Sequence, residues 1–504
     1  MVDTKREIER KYEATPGTRL PDLTRTAGVA AVVDQGTAEL DAVYYDTADL
    51  RLAAASITLR RRTGGGDEGW HLKLPVAPDV RDEIRAPLSE RLPRTLRRLV
   101  RARTRGAELT PVMRLLSARR TLLLVDADRA PLAELSRDAV RAERLSGPAD
   151  GASWDEIEAE LADGVDPAFL DRIDKKLRKA GLRPSRSPSK LARALQETGL
   201  DAPRTTSPEP VNAGDHILAY LREQAEALLA YDPGVRQDLP DAVHQMRVST
   251  RRLRSAFRSY RGILDRAVTD PVGEELKWLA GELGAARDQE VLAERLRERI
   301  DALPKPLLLG PVRGRLRIWS AAQGSGARRR AVAALDGKRY LALLRSLDAL
   351  LADPPLLKAA SGPADTVIPR AVLRDWERLA ERIGHALALP AGTERDLALH
   401  DARKAAKRAR YAGEAATPAL GKPARRFAQR MKAVQTVLGD HQDSVVARDT
   451  LRELAIQAHA AGESAFTWGL LYGQEQRSAD ARERELPGVW AGASPDEVRR
   501  LPGR

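Results

Sequence analysis

The chain has 504 residues, 42% of them hydrophobic, which exceeds what one hydrophobic core usually serves, so two or more domains are expected. Its 85 Lys and Arg against 72 Asp and Glu leave a formal charge of +13, which favours a phosphate-rich or anionic partner. The absence of cysteine excludes disulfides, thiolate metal sites and cysteine nucleophiles.

The opening MVDTKREIERKYE is charged where a signal peptide needs an apolar run, and no later stretch is long enough to span a bilayer. A soluble cytoplasmic protein without a membrane partner is expected. In chain order, short runs of alternating polarity at 7–12, 40–45, 57–62, 69–74, 82–88, 119–125, 132–140 and 153–161 predict eight strands. Helical spacing at 18–33, 95–116, 167–180 and 188–198 predicts helices outside a large antiparallel sheet or barrel. The aperiodic LDAPRTTSPEPV (200–211) reads as a linker, giving a first domain at 1–200, a linker at 201–212 and a second domain at 213–485. Beyond it, Ala-, Leu- and Arg-rich segments broken by Pro or Gly predict two helical bundles, about 213–353 and 369–485, joined around 354–369. Their first helices are expected to start near Asp215 and near Pro369, and residues 486–504 read as a weakly ordered tail.

In the first strand Glu7, Glu9 and Lys11 alternate with Ile8 and Arg10 and so project from one face. The same parity groups Arg60 with Arg62, His71 with Lys73, Glu83 with Arg85, and Glu156 with Glu158 and Glu160. The opposite parity carries Leu59, Trp70, Leu72, Leu74, Ile84, Ile157, Ala159 and Leu161. An amphipathic sheet wet on one side produces the same alternation. Sorting by strand argues for more: acids gather on the first and last strands, bases on the middle ones. Eight twisted strands can close and turn that face inward as a tunnel. There, two like charges roughly 4 Å apart repel by about 4 kcal/mol at an effective dielectric of about 20, so the acids need cations and the bases need anions. A divalent metal with a condensed phosphate meets both demands.

EIERK, YYDT (44–47), LRRR (59–62), LKLP (72–75), EIEAEL (156–161) and SPSK (187–190) together resemble the CYTH domain, or triphosphate tunnel metalloenzyme, over about residues 1–200. The resemblance implies an eight-stranded antiparallel tunnel that hydrolyses triphosphate compounds with Mg²⁺ or Mn²⁺. By position it implies metal ligation by Glu7, Glu9, Glu158 and Glu160, and phosphate contact by Lys11, Arg60, Arg62, Lys73, Arg85, Lys190 and the less securely aligned Arg119. The same resemblance implies Glu7, Glu9, Lys11 and Lys73 as the catalytic set. Glu83, Glu134 and Glu156 are further acidic candidates, whereas Asp126 and Asp128 sit in a turn without secure alignment and His71 reads as structural.

The second half repeats itself. HQMRVSTRRLRSAFRSY (244–260) has a second copy in HDARKAAKRARY (400–411), and each is followed by an LG-acid motif, LGAARD (283–288) and LGDHQD (438–443). The histidines lie 156 residues apart (244 to 400) and the glycines 155 apart (284 to 439). At about 100° per residue, His244, Arg247, Arg251, Arg254, Arg258 and Arg261 form one stripe, with Met246, Leu253, Phe257, Tyr260 and Leu264 opposite. His400, Arg403, Lys407 and Arg410 repeat it, backed by Ala402, Ala405, Ala409 and Ala416. Two such helices paired about a pseudo-twofold could aim both rows at one polyanion, and Arg252, Lys404 and Arg408 add to the candidate contacts. These motifs resemble the CHAD domain, the conserved-histidine α-helical domain, over about 213–485, which implies binding of inorganic polyphosphate and association with polyphosphate granules. His244 and His400 are read either as anion contacts or as polar packing residues, and Asp288 and Asp443 either orient the basic rows or cap helices.

The fold class is therefore α+β, a β tunnel followed by an all-α duplicated helical-bundle domain. The expected function is a divalent-metal-dependent triphosphatase acting on inorganic triphosphate or a related triphosphate, with a helical domain that binds polyphosphate. Rival readings are a non-catalytic polyphosphate-binding or targeting protein, and nucleotide cyclase or thiamine triphosphatase activity in the same tunnel. Nucleic acid ranks last as a partner, because aromatics are 4% and neither basic helix carries an aromatic row for base stacking.

Overall fold

The computed structural model describes residues 3–26, 28–146, 150–200, 209–324 and 326–500, the side chains of 285–288, 323, 324 and 327 excepted. The chain divides into two compact units, Met1–Thr206 and Ser207–Arg504.

The first unit is a closed barrel. Its strands are β1 (Asp3–Ala14), β2 (Ala31–Asp46), β3 (Thr58–Thr63), β4 (Gly69–Ala77), β5 (Val80–Ala86), β6 (Thr110–Val125), β7 (Pro131–Arg144) and β8 (Gly151–Leu161). They pair antiparallel in the order β5-β4-β3-β2-β6-β7-β8-β1, and β1 also pairs with β5, which closes the sheet. A two-residue strand, β9 (Arg183–Pro184), adds to β1 at Tyr12 and Glu13. The helices are α1 (Arg51–Ala54), α2 (Arg94–Thr104), α3 (Ala168–Lys179) and α4 (Lys190–Glu197).

Two of the apolar clusters lie outside the barrel wall. Leu59, Trp70, Leu72 and Ile84 of β3–β5 pack against Leu96, Leu99 and Val100 of α2. Leu135, Ile157 and Ala159 pack against Phe169, Leu170, Ile173 and Leu177 of α3. A third cluster has the inward parity of Arg119, Asp138 and Glu156: Met113, Leu115, Val140 and Trp154 pack against Leu191, Ala194 and Leu195 of α4 on the inner face. At about 1.5–3 kcal/mol for each fully buried Leu, Ile or Phe, these clusters hold the wall. The parity opposite to the two outer clusters is thereby turned inward.

Two of the predicted helices are replaced in whole or part by strands. Among the described residues of 18–33 the helical part is a 3-10 turn at Leu23–Arg25, capped by Asp22; Gly28 then takes φ 98° and β2 begins at Ala31. The β-branched Val32 and Val33 pair there with Leu124 and Leu123 of β6. The helix expected over 95–116 stops at Thr104, because Arg105 and Gly106 both take positive φ (54° and 74°), and β6 starts at Thr110. Asp126 caps the β6–β7 turn, its Oδ1 accepting from the backbone of Asp128 (2.9 Å) and Ala130 (2.8 Å), and stays outside the barrel.

The second unit consists, among the described residues, of α5 (Ala213–Gln237), α6 (Ala242–Ser259), α7 (Arg266–Asp301), α8 (Val312–Gly324), α9 (Ala327–Asp336), α10 (Lys338–Ala352), α11 (Ala364–Ala388), α12 (Thr393–Leu420), α13 (Lys422–Ala460), α14 (Phe466–Ala491) and α15 (Asp496–Arg499), with short 3-10 turns between some of them. The repeat is visible in it: α5, α6 and α7 correspond to α11, α12 and α13, and each consecutive pair packs together. A capping box between Asn212 and Asp215 sets the start of α5. In contrast, Pro369 lies inside α11 and does not open it. The far faces of the repeated helices are packed: Met246, Leu253, Phe257 and Tyr260 are buried in the first copy, and Ala402, Ala405, Ala409 and Ala416 in the second. The Tyr260 hydroxyl donates to the Ala412 carbonyl (2.7 Å) and joins the two halves.

The segment expected to be a weakly ordered tail continues α14 to Ala491 and then forms α15. Trp490 stacks on Trp376 (ring centroids 5.6 Å apart), and the Trp376 indole donates to the Ala493 carbonyl (2.9 Å). Those partners lie more than a hundred residues away in sequence, where local patterning carries no sign of them. Residues 501–504, and 201–208 of the linker, lie outside the described residues.

Candidate functional site

The barrel encloses a cavity of about 390 Å³. Glu7, Glu9 and Lys11 of β1 line it with Arg60 and Arg62 of β3, Lys73 of β4, Arg85 of β5, Arg119 of β6, and Glu158 and Glu160 of β8; Lys190 reaches in from α4. The tunnel residues expected from sequence are thus brought together on one inner surface. Strand register sorts them. Glu9 faces Glu160 and Lys11 faces Glu158 across β1–β8, and Glu134, Ser136 and Asp138 of β7 face Glu160, Glu158 and Glu156. On the other side Arg60 faces His71, and Lys73 faces Glu83, across β3–β4–β5. Acids concentrate on β7–β8–β1 and bases on β3–β4–β5, with Arg119 between them.

Most of these charges are paired. Lys73 Nζ lies 2.5 Å from Glu7, and Arg85 pairs with Glu83 and, at 3.7 Å, with Glu7. Lys11 bridges Glu158 and Glu9, the latter at 3.0 Å. Arg119 grips Asp138 with two bonds (2.7 and 2.8 Å) and reaches Glu158 (2.9 Å). Lys190 Nζ sits among Asp138 (3.1 Å), Glu156 (2.7 Å) and Glu158 (2.8 Å). Ser189 caps α4 by accepting from Ala192 and so fixes where that ammonium enters.

The electrostatics follow from enclosure. Burial would raise Glu9, but Lys11 and Lys73 outweigh it and hold the carboxyl at about 2. Glu7 is pushed up to about 7 by burial beside Glu83 and Glu160, against the pull of Lys73. Glu158 stays well below the usual range because Lys11, Lys190 and Arg119 surround it. Burial beside Arg60 and Arg119 brings Arg62 down to about 9. The cavity thus holds carboxylates and cations in mutual compensation, with Glu7 and Arg62 the least compensated.

Several residues of the wall were not reached from sequence. Asp138 and Arg81 share the inward parity of Glu134 and of Glu83, so extending each strand's alternation by two or four residues would have found them. Arg81 donates to the carbonyls of Ser56 (3.1 Å) and Pro188 (2.9 Å) and closes the wall beside Glu9. His71 is buried, with Nδ1 2.9 Å from Glu83 and Nε2 2.9 Å from the Asp67 carbonyl, a bridging role that its position beside LKLP did not disclose.

In the helical unit the basic residues separate into groups. Burial, with Arg403, Arg251 and Arg247 close by, brings Lys407 down to about 8, which puts cations of α6 and α12 at one place. The LG glycines make room for it. A Cβ at Gly284 would lie 3.0 Å from Arg247 Nη2, and one at Gly439 would lie 3.6 Å from Arg403 Nη2. Asp443 pairs with Arg403 at 3.4 Å from the middle of α13, so it orients the basic row and caps nothing. The side chain of Asp288 lies outside the described residues.

Arg254, Arg258 and Arg408 form a second group: Arg258 helps lower both of the others, and it pairs weakly with Glu274 (3.9 Å). Arg252 and Arg410 instead share Glu414 (2.9 and 2.7 Å) and hold α6 to α12. Lys404 is exposed and pairs with Asp401 (3.0 Å). His244 is half-buried on α6. His400 faces Gln442 of α13 through Nδ1 (2.6 Å), an interhelical packing contact. The histidine of LGDHQD, His441, is buried between Asp396 (3.3 Å) and Glu483 (3.2 Å), carboxylates that pair with Arg448 and Arg395. No helix among the described residues is long and apolar enough to cross a membrane.

Comparison with known proteins agrees with both units. Residues 5–195 match the CYTH domain and residues 219–452 the CHAD domain. An uncharacterised protein of Mycobacterium tuberculosis (strain CDC 1551 / Oshkosh) is 41% identical over 494 residues, covering 95% of this chain and 94% of its own. Among solved structures, PptA from Streptomyces chartreusis is 21% identical with a TM-score of 0.47, covering 56% of this chain and 99% of its own. The CHAD domain from the plant Ricinus communis is 27% identical with a TM-score of 0.43, covering 58% and 93%.

Proposed function

This chain belongs to the family that joins a CYTH domain to a CHAD domain, and on that footing we propose that its barrel is a divalent-metal-dependent triphosphatase and its helical unit a polyphosphate-binding module. The observation that carries the reading is the predominance of carboxylates on β7, β8 and β1 and of cations on β3, β4 and β5, with Lys11 and Glu83 as the exceptions, around one enclosed cavity. A condensed phosphate is the ligand whose charge suits the basic side, and a hard divalent cation suits a donor set made only of carboxylate oxygens.

Glu7, Glu9, Glu158 and Glu160, carboxylates that line one cavity, would hold Mg²⁺ or Mn²⁺, whereas Asp138, Glu156 and Glu158, with ligand atoms within 4.8 Å of one another, surround the Lys190 ammonium. The metal would supply charge neutralisation at the phosphoryl oxygens and an activated water. Arg60, Arg62, Lys73 and Arg85 would bind the triphosphate, with Arg119, Lys11 and Lys190 at the border with the acidic side. Their work is positioning: phosphoryl transfer asks mainly for alignment and for cations where charge is carried. Burial of the wall charges excludes bulk water and strengthens each contact. In the helical unit, Arg247, Arg251, Arg403 and Lys407 would grip the polyanion, and Arg254, Arg258 and Arg408 would extend its path.

Glu7→Gln tests the reading. It is expected to abolish Mg²⁺- or Mn²⁺-dependent phosphate release from inorganic tripolyphosphate while leaving binding of long-chain polyphosphate nearly intact. Unchanged phosphate release would remove the enzymatic reading and leave a polyphosphate-binding protein.

A further inference from the structure

The counterions of the tunnel's basic residues differ in where they come from. Glu7, Glu9, Glu83, Asp138, Glu156, Glu158 and Glu160 all stand on strands of the wall. Arg62 is the exception among the described pairs, since its partner Asp67 lies in the loop 64–68 between β3 and β4. A wall carboxylate cannot leave its cation without breaking strand register. A loop carboxylate can, by rotating its own side chain.

The loop is built for close approach. Gly64 takes φ 81°, and a Cβ there would lie 2.1 Å from the Glu39 carbonyl oxygen; a Cβ at Gly65 would lie 2.8 Å from Leu40. Only glycine lets the loop fold this tightly onto β2. Gly65, Gly66 and Asp67 consequently line the cavity itself. His71 fixes the loop backbone by donating from Nε2 to the Asp67 carbonyl (2.9 Å), and that bond does not involve the Asp67 carboxylate. The Arg62 side chain is 6% exposed whereas that of Asp67 is 36% exposed, so the cation is enclosed and its anion faces solvent. Arg62 also has Arg60 and Arg119 as like-charged neighbours, and its Nε is buried without a hydrogen-bond partner. The cluster therefore has unused capacity for an anion.

We propose that Asp67 is an internal competitor for the phosphate site: its carboxylate occupies Arg62 in the ligand-free protein, and a phosphate group of a condensed phosphate must displace it to complete the Arg60–Arg62–Arg119 subsite. This rests on the barrel binding a condensed phosphate, and it makes Asp67 a residue that sets affinity without touching the reacting atoms. Binding turns the carboxylate out to solvent while the loop backbone stays on His71.

The test uses the full-length chain with inorganic tripolyphosphate. Asp67→Asn keeps the shape of the loop and removes the competing charge. It is expected to lower KM for metal-dependent hydrolysis about tenfold with kcat unchanged, and to tighten calorimetric binding without metal by the same factor, equivalent to about 1.4 kcal/mol. The helical unit is common to both proteins, so the difference between them reads the barrel. In an Arg62→Gln background, which relieves repulsion and should fold, Asp67→Asn is expected to change nothing. If Asp67→Asn leaves both constants unaltered or weakens them while the wild type still hydrolyses tripolyphosphate, the competitor is refuted and the enzymatic reading stands. A gain that persists without Arg62 also refutes it. Tighter binding by Asp67→Asn in a protein that releases no phosphate would support the competitor and remove the hydrolase. No hydrolysis and no difference in binding would remove both.

Discussion

The barrel and the helical unit both collect buried or half-buried charge, but they neutralise it differently. In the barrel, Lys190 alone meets three carboxylates, and Arg119 meets Asp138 and Glu158. In the helical unit, Lys407 and Arg251 form no salt bridge among the described residues, and Lys407 has Arg403, Arg251 and Arg247 close by. An interior that balances opposite charges is prepared for ligands of both signs. An interior that leaves cations in excess is prepared for an anion alone, and folding carries the strain until it arrives. The contrast also predicts opposite effects of removing a charge.

The largest effect is expected at Lys190. Lys190→Met leaves Asp138, Glu156 and Glu158 facing one another without their shared ammonium, and breaking a buried pair from one side costs about 3–5 kcal/mol. Urea unfolding of the full chain should show the first transition shifted to lower denaturant, and an unshifted transition would contradict balanced charge in the barrel. By contrast, Arg251→Gln and Arg403→Gln should leave unfolding unchanged or slightly delayed. Each should weaken polyphosphate binding about tenfold, near 1.4 kcal/mol, with a shallower dependence on salt.

Lys407 sharpens the contrast through pH. Its folded value of about 8 lies below the ordinary 10.5, so between those values the unfolded chain holds a proton that the folded chain lacks. Stability therefore rises as pH goes from about 8 toward 10.5, and Lys407→Met should lose this rise and be more stable than the wild type at neutral pH. Polyphosphate affinity should run the other way, falling above about pH 8 in the wild type as the ammonium is lost. Lys407→Arg should flatten that fall, as measured by titration calorimetry across the window.

The smallest effects separate the two repeats. Gly439→Ala meets Arg403 at an ordinary contact distance and replaces a mid-helix glycine, so a gain of up to about 1 kcal/mol with unchanged polyphosphate binding is expected. Gly284→Ala presses on Arg247 and should weaken binding a few-fold. Equal behaviour of the two variants in binding and in thermal unfolding would mean that the glycines do not shape the cation cluster.

Much of the site was legible because strand alternation and helix periodicity are local. Once Glu7 and Glu9 were assigned to one face, Lys11 followed, and Glu83 implied Arg85 by the same step. The alternation was not carried far enough to reach Asp138 and Arg81. The segments 18–33 and 95–116 misled because their apolar spacing suits a helix as well as a strand. Gly28, Arg105 and Gly106 decided them by turning the backbone to positive φ. His71 is structural as its position suggested, whereas Asp67 escaped because its importance lies in a bond from a loop to a neighbouring strand.

The sequence by itself determined which residues face which way, that the second half is duplicated, and that acids and bases are sorted by strand, since all three are properties of spacing along the chain. Only the tertiary structure decided that the sheet closes through β1 and β5, that Lys190 lies among three carboxylates, and that Arg247, Arg251, Arg403 and Lys407 converge. Those facts concern distances between residues remote in sequence. Such distances are fixed when apolar faces are buried against their covering helices, a collective event that no single segment encodes.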